Sequence, residues 1–312
     1  MRIKRVLRIT GWITGGVAVA ILVAFIAFVP FGQGPEYEFV QAWGGPGNGE
    51  GEFNDPTGIA VTADEVFVAD SRNGRIQVFS HDGEFKRQFG TPGEGPGELG
   101  RPMNLAIHSG KLYVAEYFND RIQVFGLDGQ SRRRIGEPGN GPGQFNSPGG
   151  VAVAGDGSLF VAGFYNHRVQ HLKPDGSLIR QWGTTGEPKL GAGEFVYPAD
   201  VALGEDQTLY VADGYANRVQ VFTASGTYQQ RWGGPFGLGL YGPFNGWFTT
   251  VTSLAIGPEG RVFVADFYND RIQVFSADGT FLTAFGEGGD GPGQFGHAIA
   301  VDVASDGSVF VA

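Results

Sequence analysis

The chain has 312 residues, 54 of them glycine and none cysteine, which excludes disulfides and thiolate metal sites. Its formal net charge is -10, and Arg2, Lys4, Arg5 and Arg8 all precede the first acidic residue, Glu36; without those four, 18 basic side chains face 32 acidic ones, about -14. That balance argues against a nucleic-acid partner, which needs a basic face, and favours cations, neutral ligands or other proteins.

Residues 1–34 differ from everything after them. Behind the four basic residues, the run from Ile9 to Phe31 is apolar except for Thr10, Thr14 and several glycines. At about 1.5 Å per residue it is long enough to cross a bilayer as a helix. Basic residues before the run and none soon after it predict a cytoplasmic N-terminus. The expectation is a single-pass cell-membrane protein with the rest of the chain outside the cytoplasm. A cleaved signal peptide is the alternative, although Ala27-Phe28-Val29-Pro30-Phe31 offers no convincing small-x-small site. The expected division is a basic tip and signal-anchor helix over 1–34 and a repeat domain over 35–312.

The repeats begin at once, and one word organises them. Asp266-Phe267-Tyr268-Asn269-Asp270-Arg271-Ile272-Gln273-Val274-Phe275 has a close copy from Glu116 to Phe125 and another from Asp70 to Phe79, with looser copies from Gly163 to Leu172 and Asp213 to Phe222. Aligned on Ile59, Leu105, Val151, Val201, Leu254 and Ile299, the copies recur at intervals of 46, 46, 50, 53 and 45 residues. Each reads as four short strands: apolar, β-branched runs bounded by Asp-Gly turns such as Asp82-Gly83. Four antiparallel strands per 40–50 residues is the pattern of a β-propeller blade.

The Pro-x-Gly-Ile-Ala-Val, Val-x-Val-Ala-Asp and Asn-x-Arg-Ile-Gln-Val-Phe words resemble NHL repeats over residues 39–312. The resemblance implies a six-bladed, all-β propeller with inner strands lining a central channel. Three copies depart from the pattern. Gly163 replaces the acidic residue in the third, Ala216-Asn217 shifts the asparagine in the fourth, and Val251-Thr252-Ser253 replaces Pro-x-Gly in the fifth. Outer and inner strands number six each but third strands only five, so the last blade is expected to be incomplete. The strand near Phe39 is expected to complete that blade, and the native chain to continue past Ala312.

The loops leading into the inner strands and those between second and third strands share the upper face. Asp70, Glu116, Asp213 and Asp266 recur there, either as an acidic ring able to hold Ca²⁺ or as partners of Arg75, Arg121, Arg218 and Arg271, five residues on. Repetition in nearly every blade favours the structural role. His167, His297 and Asp200 are the only upper-face candidates for a catalytic metal, without the tight spacing such a centre needs. The link before the fifth inner strand is the outlier: Trp232 to Leu254 spans 22 residues against 16 from Trp43 to Ile59. It carries Phe236, Leu238, Leu240, Tyr241, Phe244, Trp247 and Phe248, which either fold back over the channel mouth or meet a partner. Tyr117, Phe118, Phe164, Tyr165, Tyr215, Phe267 and Tyr268 could extend that patch.

These features point to a non-catalytic binding module, without cofactor, recognising a protein, glycan or small ligand. The candidate binding residues are Tyr241, Phe244, Trp247 and Phe248, with Asp213 and Asp266 beside them. A metal-dependent lyase or hydrolase is the alternative, through a more distant resemblance to six-bladed propeller enzymes such as the peptidyl-hydroxyglycine lyase, whose histidine set this chain does not display.

Overall fold

A computed structural model describes residues 29–312. Five sheets of four antiparallel strands follow one another along the chain, each in simple sequential order. The inner strands of blades 1 to 5 are Pro56–Val61, Pro102–His108, Pro148–Val153, Pro198–Leu203 and Val251–Ile256. The third strands hold the recurrent word: Arg75–Phe79, Arg121–Gly126, Arg168–Leu172, Arg218–Phe222 and Arg271–Phe275. Second and third strands are almost wholly buried, while fourth strands such as Phe85–Phe89 alternate between half-buried and exposed. That is the period-2 pattern of an outer strand facing water.

The core lies between blades. Ala60, Phe67 and Val78 of blade 1 pack against Leu105, Leu112 and Phe125 of blade 2, and equivalent layers join each later pair. A side chain near the end of the fourth strand in blades 1 to 4 (Phe89, Ile135, Trp182 and Trp232) also covers the next lower turn. Trp232 does so most closely: a Cβ on Gly279, whose φ is 84°, would stand 1.8 Å from its ring, so only glycine fits.

Two expectations need correction, and a third falls almost wholly outside the described residues. The fold has five complete blades rather than six. The sixth inner and second strands, Val301–Val303 and Val309–Val311, form only a two-stranded sheet. It lies against blade 1, where the Asp302 carboxylate accepts the Val61 N–H at 2.7 Å. Secondly, the stretch around Phe39 forms no strand, because a fourth strand pairs only with a third and this sheet has two. Side chains hold it instead: Tyr37 packs on Phe285 at 4.7 Å, and Trp43 lies beside Phe310. Thirdly, among the described residues no helix is long and apolar enough to cross a membrane. The expected span from Ile9 lies outside them except for Val29 to Phe31, which are not helical.

A smaller correction concerns register. Leu254 pairs with Val264, and its counterpart in the last sheet is Val301, paired with Val311, rather than Ile299. Strand side chains alternate with period 2, so an error of two residues leaves the hydrophobic pattern unchanged.

Candidate functional site

The recurrent acidic residues are structural. Asp70, Glu116, Asp213 and Asp266 are 0% exposed. Each receives an arginine Nε at 2.6 to 2.9 Å and the Nε2 of a third-strand glutamine. Each also accepts one backbone N–H from the link before its blade, as Asp266 Oδ1 does from Thr249 at 2.7 Å. Asp213 and Asp266 therefore lie beneath the surface, tying the loops to the blades. Burial pulls the Asp266 carboxyl upward, and Arg271 beside it pulls it back.

Phe248 is corrected for a related reason. It is fully buried against Phe275, at the position that Phe145 and Phe195 occupy in earlier links. In the sequence it reads as part of the insertion, yet it is the regular element that resumes after one. Phe244 and Trp247 are half-buried, packed edge to face at 5.2 Å. Their carbonyls accept Arg271 Nη2, and Trp247 also accepts Gln273 Nε2. Tyr241 is 74% exposed. None of the four lines the cavity at the channel mouth, so the long link does not cap it.

A different set of aromatics converges. Tyr117, Phe164 and Tyr165 come from the second-to-third-strand loops of blades 2 and 3, and Tyr215 from a short 3-10 turn, Gly214–Ala216, in blade 4. Tyr197, which the sequence did not single out, stands just before inner-strand Pro198 and joins them. Ring centroids run from Phe118 to Tyr117 (5.7 Å), Tyr165 (6.0 Å), Tyr197 (5.8 Å) and Tyr215 (5.1 Å), with Phe164 5.0 Å from Tyr197. Arg101 extends the row, its Cζ 5.4 Å from the Phe118 ring centre and 5.5 Å from Tyr117. Phe118, Tyr165 and Tyr215 are 66%, 45% and 57% exposed, an apolar outlay a folded domain does not need for its own core. Phe267 and Tyr268 form a separate pair around His297.

One backbone conformation recurs just before each inner strand, and it places Arg101 and Tyr197 in the arc. Asp55, Arg101, Ser147, Tyr197, Thr250 and His297, each just before an inner strand or its counterpart, have φ between 54° and 76°. Such left-handed residues are costly unless held. Four are held by the preceding blade, which offers an acceptor to the backbone N–H: Asp120 to Ser147, His167 to Tyr197, Asn217 to Thr250 and Asp270 to His297. His167 must present an unprotonated Nδ1 to receive the Tyr197 N–H at 3.2 Å, and its burial lowers its pKa accordingly.

Beneath the arc, a cavity of about 180 Å³ opens at the channel mouth, with Tyr117 and Phe164 on its rim and Asn104 below. Asp200 lies on the neighbouring inner strand, accepting the Val201 and Leu254 N–H groups at 2.7 and 2.9 Å. With no cation bonded to it, burial raises its pKa to about 7. His167 and His297 do not gather around it: the first serves Tyr197, the second pairs through Nδ1 with Asp270 at 2.9 Å. Among the described residues, no group of three His, Asp or Glu side chains could hold a metal ion.

A family model for the NHL repeat matches residues 53–79, 145–172, 195–222 and 248–275, the inner three strands of blades 1, 3, 4 and 5. The chain is an NHL-repeat β-propeller. Similar solved structures share the architecture at low identity. A virginiamycin B lyase from Staphylococcus aureus is 18% identical, with a TM-score of 0.55 over 82% of this chain and 77% of that one. A Bacteroides thetaiotaomicron protein of unknown function is 16% identical, with a TM-score of 0.63 over 88% and 70%. The WD40 propeller of Doa1 is 12% identical, with a TM-score of 0.55 over 82% and 89%. At these identities the likeness shows the fold alone. A comparison with curated protein sequences finds no match.

Blade 2 of this NHL propeller lies outside the matched segments, yet it carries the same four strands and the same buried Glu116–Arg121 pair. Blade 3 is matched but has lost its carboxylate. At Gly163 the Asn166 side chain fills the vacated place, its Oδ1 accepting the Asn146 N–H at 2.8 Å. Arg168 is then left with a buried Nε that has no partner.

Proposed function

We propose that this NHL propeller is a non-catalytic binding module whose upper aromatic arc receives a segment of a partner protein. The continuity of the arc carries the reading: exposed rings from three blades touch one another in a row. Tyrosine and arginine are enriched in protein interfaces: tyrosine brings large area and a hydroxyl at low entropic cost, and arginine brings a planar fork of donors. Size separates the candidates of partner. The mouth cavity of about 180 Å³ is below the range of about 300–1,000 Å³ usual for small-molecule sites, whereas the arc runs far beyond it.

The reading is tested by selecting peptide ligands from a displayed library and titrating them against variants. Tyr165→Ala and Tyr215→Ala should each weaken binding about thirty-fold, equivalent to about 2 kcal/mol, without lowering thermal stability. Tyr241→Ala, on the long link, should leave affinity unchanged. Ligands that respond to Tyr241→Ala and ignore Tyr165→Ala would move the binding surface to the insertion.

A further inference from the structure

The lower face, opposite the loops that lead into the inner strands, carries short turns such as Asp156-Gly157, yet the larger of the two cavities opens there. It measures about 380 Å³ and lies between blades 2 and 3. Its floor is apolar, built from Val124, Ile135 and Leu159 with the Tyr113 ring. Its rim is basic: His108, Lys111, Arg132 and Arg133 line it, against one carboxylate, Asp156. Four cationic or ionisable nitrogen groups around one opening are unusual in a domain of about -14.

Register explains how the cluster arose. Glu65 of blade 1 precedes the Val66 that pairs with Val61, and Lys111 of blade 2 precedes the Leu112 that pairs with Ile107. Likewise Arg87 lies opposite Val78, and Arg133 opposite Val124. In blade 1 these two places hold a bidentate ion pair, Arg87 Nη1 and Nη2 on the two Glu65 oxygens at 2.6 and 2.7 Å. In blade 2 the same two places hold two cations. Arg133 reaches the Pro174 carbonyl with one nitrogen, and Arg132 meets Asp128 at 3.2 Å. Among the described residues the Lys111 ammonium makes no hydrogen bond or ion pair. Asp156 forms no ion pair with it; its Oδ1 accepts the Ser158 N–H of its own turn.

Two like charges on one face repel, and a counter-charge between them supplies what Glu65 supplies in blade 1. The volume falls within the range of small-molecule sites, and the apolar floor gives the cavity a non-polar wall beneath the charged rim. We propose that this cavity binds a small organic anion, a carboxylate or phosphate head on an apolar body. The head sits between Lys111 and Arg133 at the rim, and the body covers Val124, Leu159 and the Tyr113 ring.

Calorimetric titration of the full chain with phenyl phosphate, benzoate, inorganic phosphate and benzyl alcohol at low ionic strength tests this. One of the two aromatic anions should bind with a Kd of about 1 mM or tighter, and which one does identifies the head group. Inorganic phosphate, lacking the body, and benzyl alcohol, lacking the charge, should each be at least about tenfold weaker, a difference of about 1.4 kcal/mol. Lys111→Glu rebuilds the blade 1 charge pattern, so it should abolish anion binding while thermal stability holds or rises. Lys111→Gln should weaken anion binding about tenfold, and Tyr241→Ala on the long link should leave anion binding unchanged. Failure of both aromatic anions to bind at about 10 mM, equal binding of benzyl alcohol, or anion binding that survives Lys111→Glu would overturn the proposal.

Discussion

Blades 3 and 4 solve one problem in opposite ways. In blade 4 the buried Arg218 guanidinium faces the Asp213 carboxylate at 2.7 Å, and the two together fasten the preceding link. In blade 3 the carboxylate is missing. Asn166, three residues beyond Gly163, swings into its place and takes over the link N–H. Arg168 keeps its carbonyl partners, Asn140, Gly141 and Gln144, but its Nε is orphaned and burial lowers its pKa. The difference teaches that the link is fastened by any acceptor at that place, while the arginine Nε keeps a partner where the carboxylate stands and loses it where asparagine takes over.

The sharpest way to break this comparison is to remove the carboxylate where no asparagine can replace it. Blade 4 has Ala216 three residues beyond Asp213, whereas blade 5 has Asn269 three residues beyond Asp266. Asp213→Gly should cost about 3–5 kcal/mol, the usual penalty for stranding a buried charge. Asp266→Gly should cost about 1–3 kcal/mol less, because Asn269 can imitate Asn166 and save one buried N–H. Urea unfolding midpoints at unchanged slope measure both; equal losses would mean that the asparagine gives no rescue.

Asp200 is the mirror case, a buried carboxylate with no cation bonded to it, and pH reaches it directly. Its folded pKa of about 7 lies above the unfolded value of about 3.9. Between these values the folded state keeps a proton that the unfolded state has released, so stability falls as pH rises. The contribution is fully present below about pH 4 and lost by about pH 7, amounting to at most about 4 kcal/mol. Unfolding free energies across that window should decline more steeply in the native protein than in Asp200→Asn. Parallel profiles would show that Asp200 does not titrate there.

The smallest effect is a repair. Gly163→Asp should return Asn166 to the role of Asn73 and Asn269, which donate to their carboxylates at 2.9 and 2.8 Å. Pairing the orphaned Nε and stiffening the unfolded chain together are worth about 1–2 kcal/mol. A rise in melting temperature of a few degrees is the expected reading. A fall would show that Asn166 cannot leave the place it now fills, 2.8 Å from where the new Cβ would stand.

The sequence by itself determined the blade. Arg-Ile-Gln-Val-Phe strands, Asp-Gly turns and the spacing of apolar runs follow from hydrogen bonds and burial within about 45 residues of chain, so they recur wherever the word recurs. It also marked Gly163 as a departure, and the exposed aromatics of the upper loops as a possible patch. What it could not determine depends on side chains brought together from different blades. Burial of Asp213 and Asp266 follows from the preceding link wrapping over them, and Phe248 is core because Phe275 lies beneath it. Only the tertiary structure brings Tyr197 beside Tyr165 and Tyr215, and only strand register sets Lys111 against Arg133. Among the described residues five third strands receive a fourth, and the last sheet has two strands, so the stretch around Phe39 has no third strand to pair with. Each of these outcomes rests on a neighbour that stands next to a residue in space and far from it in the chain.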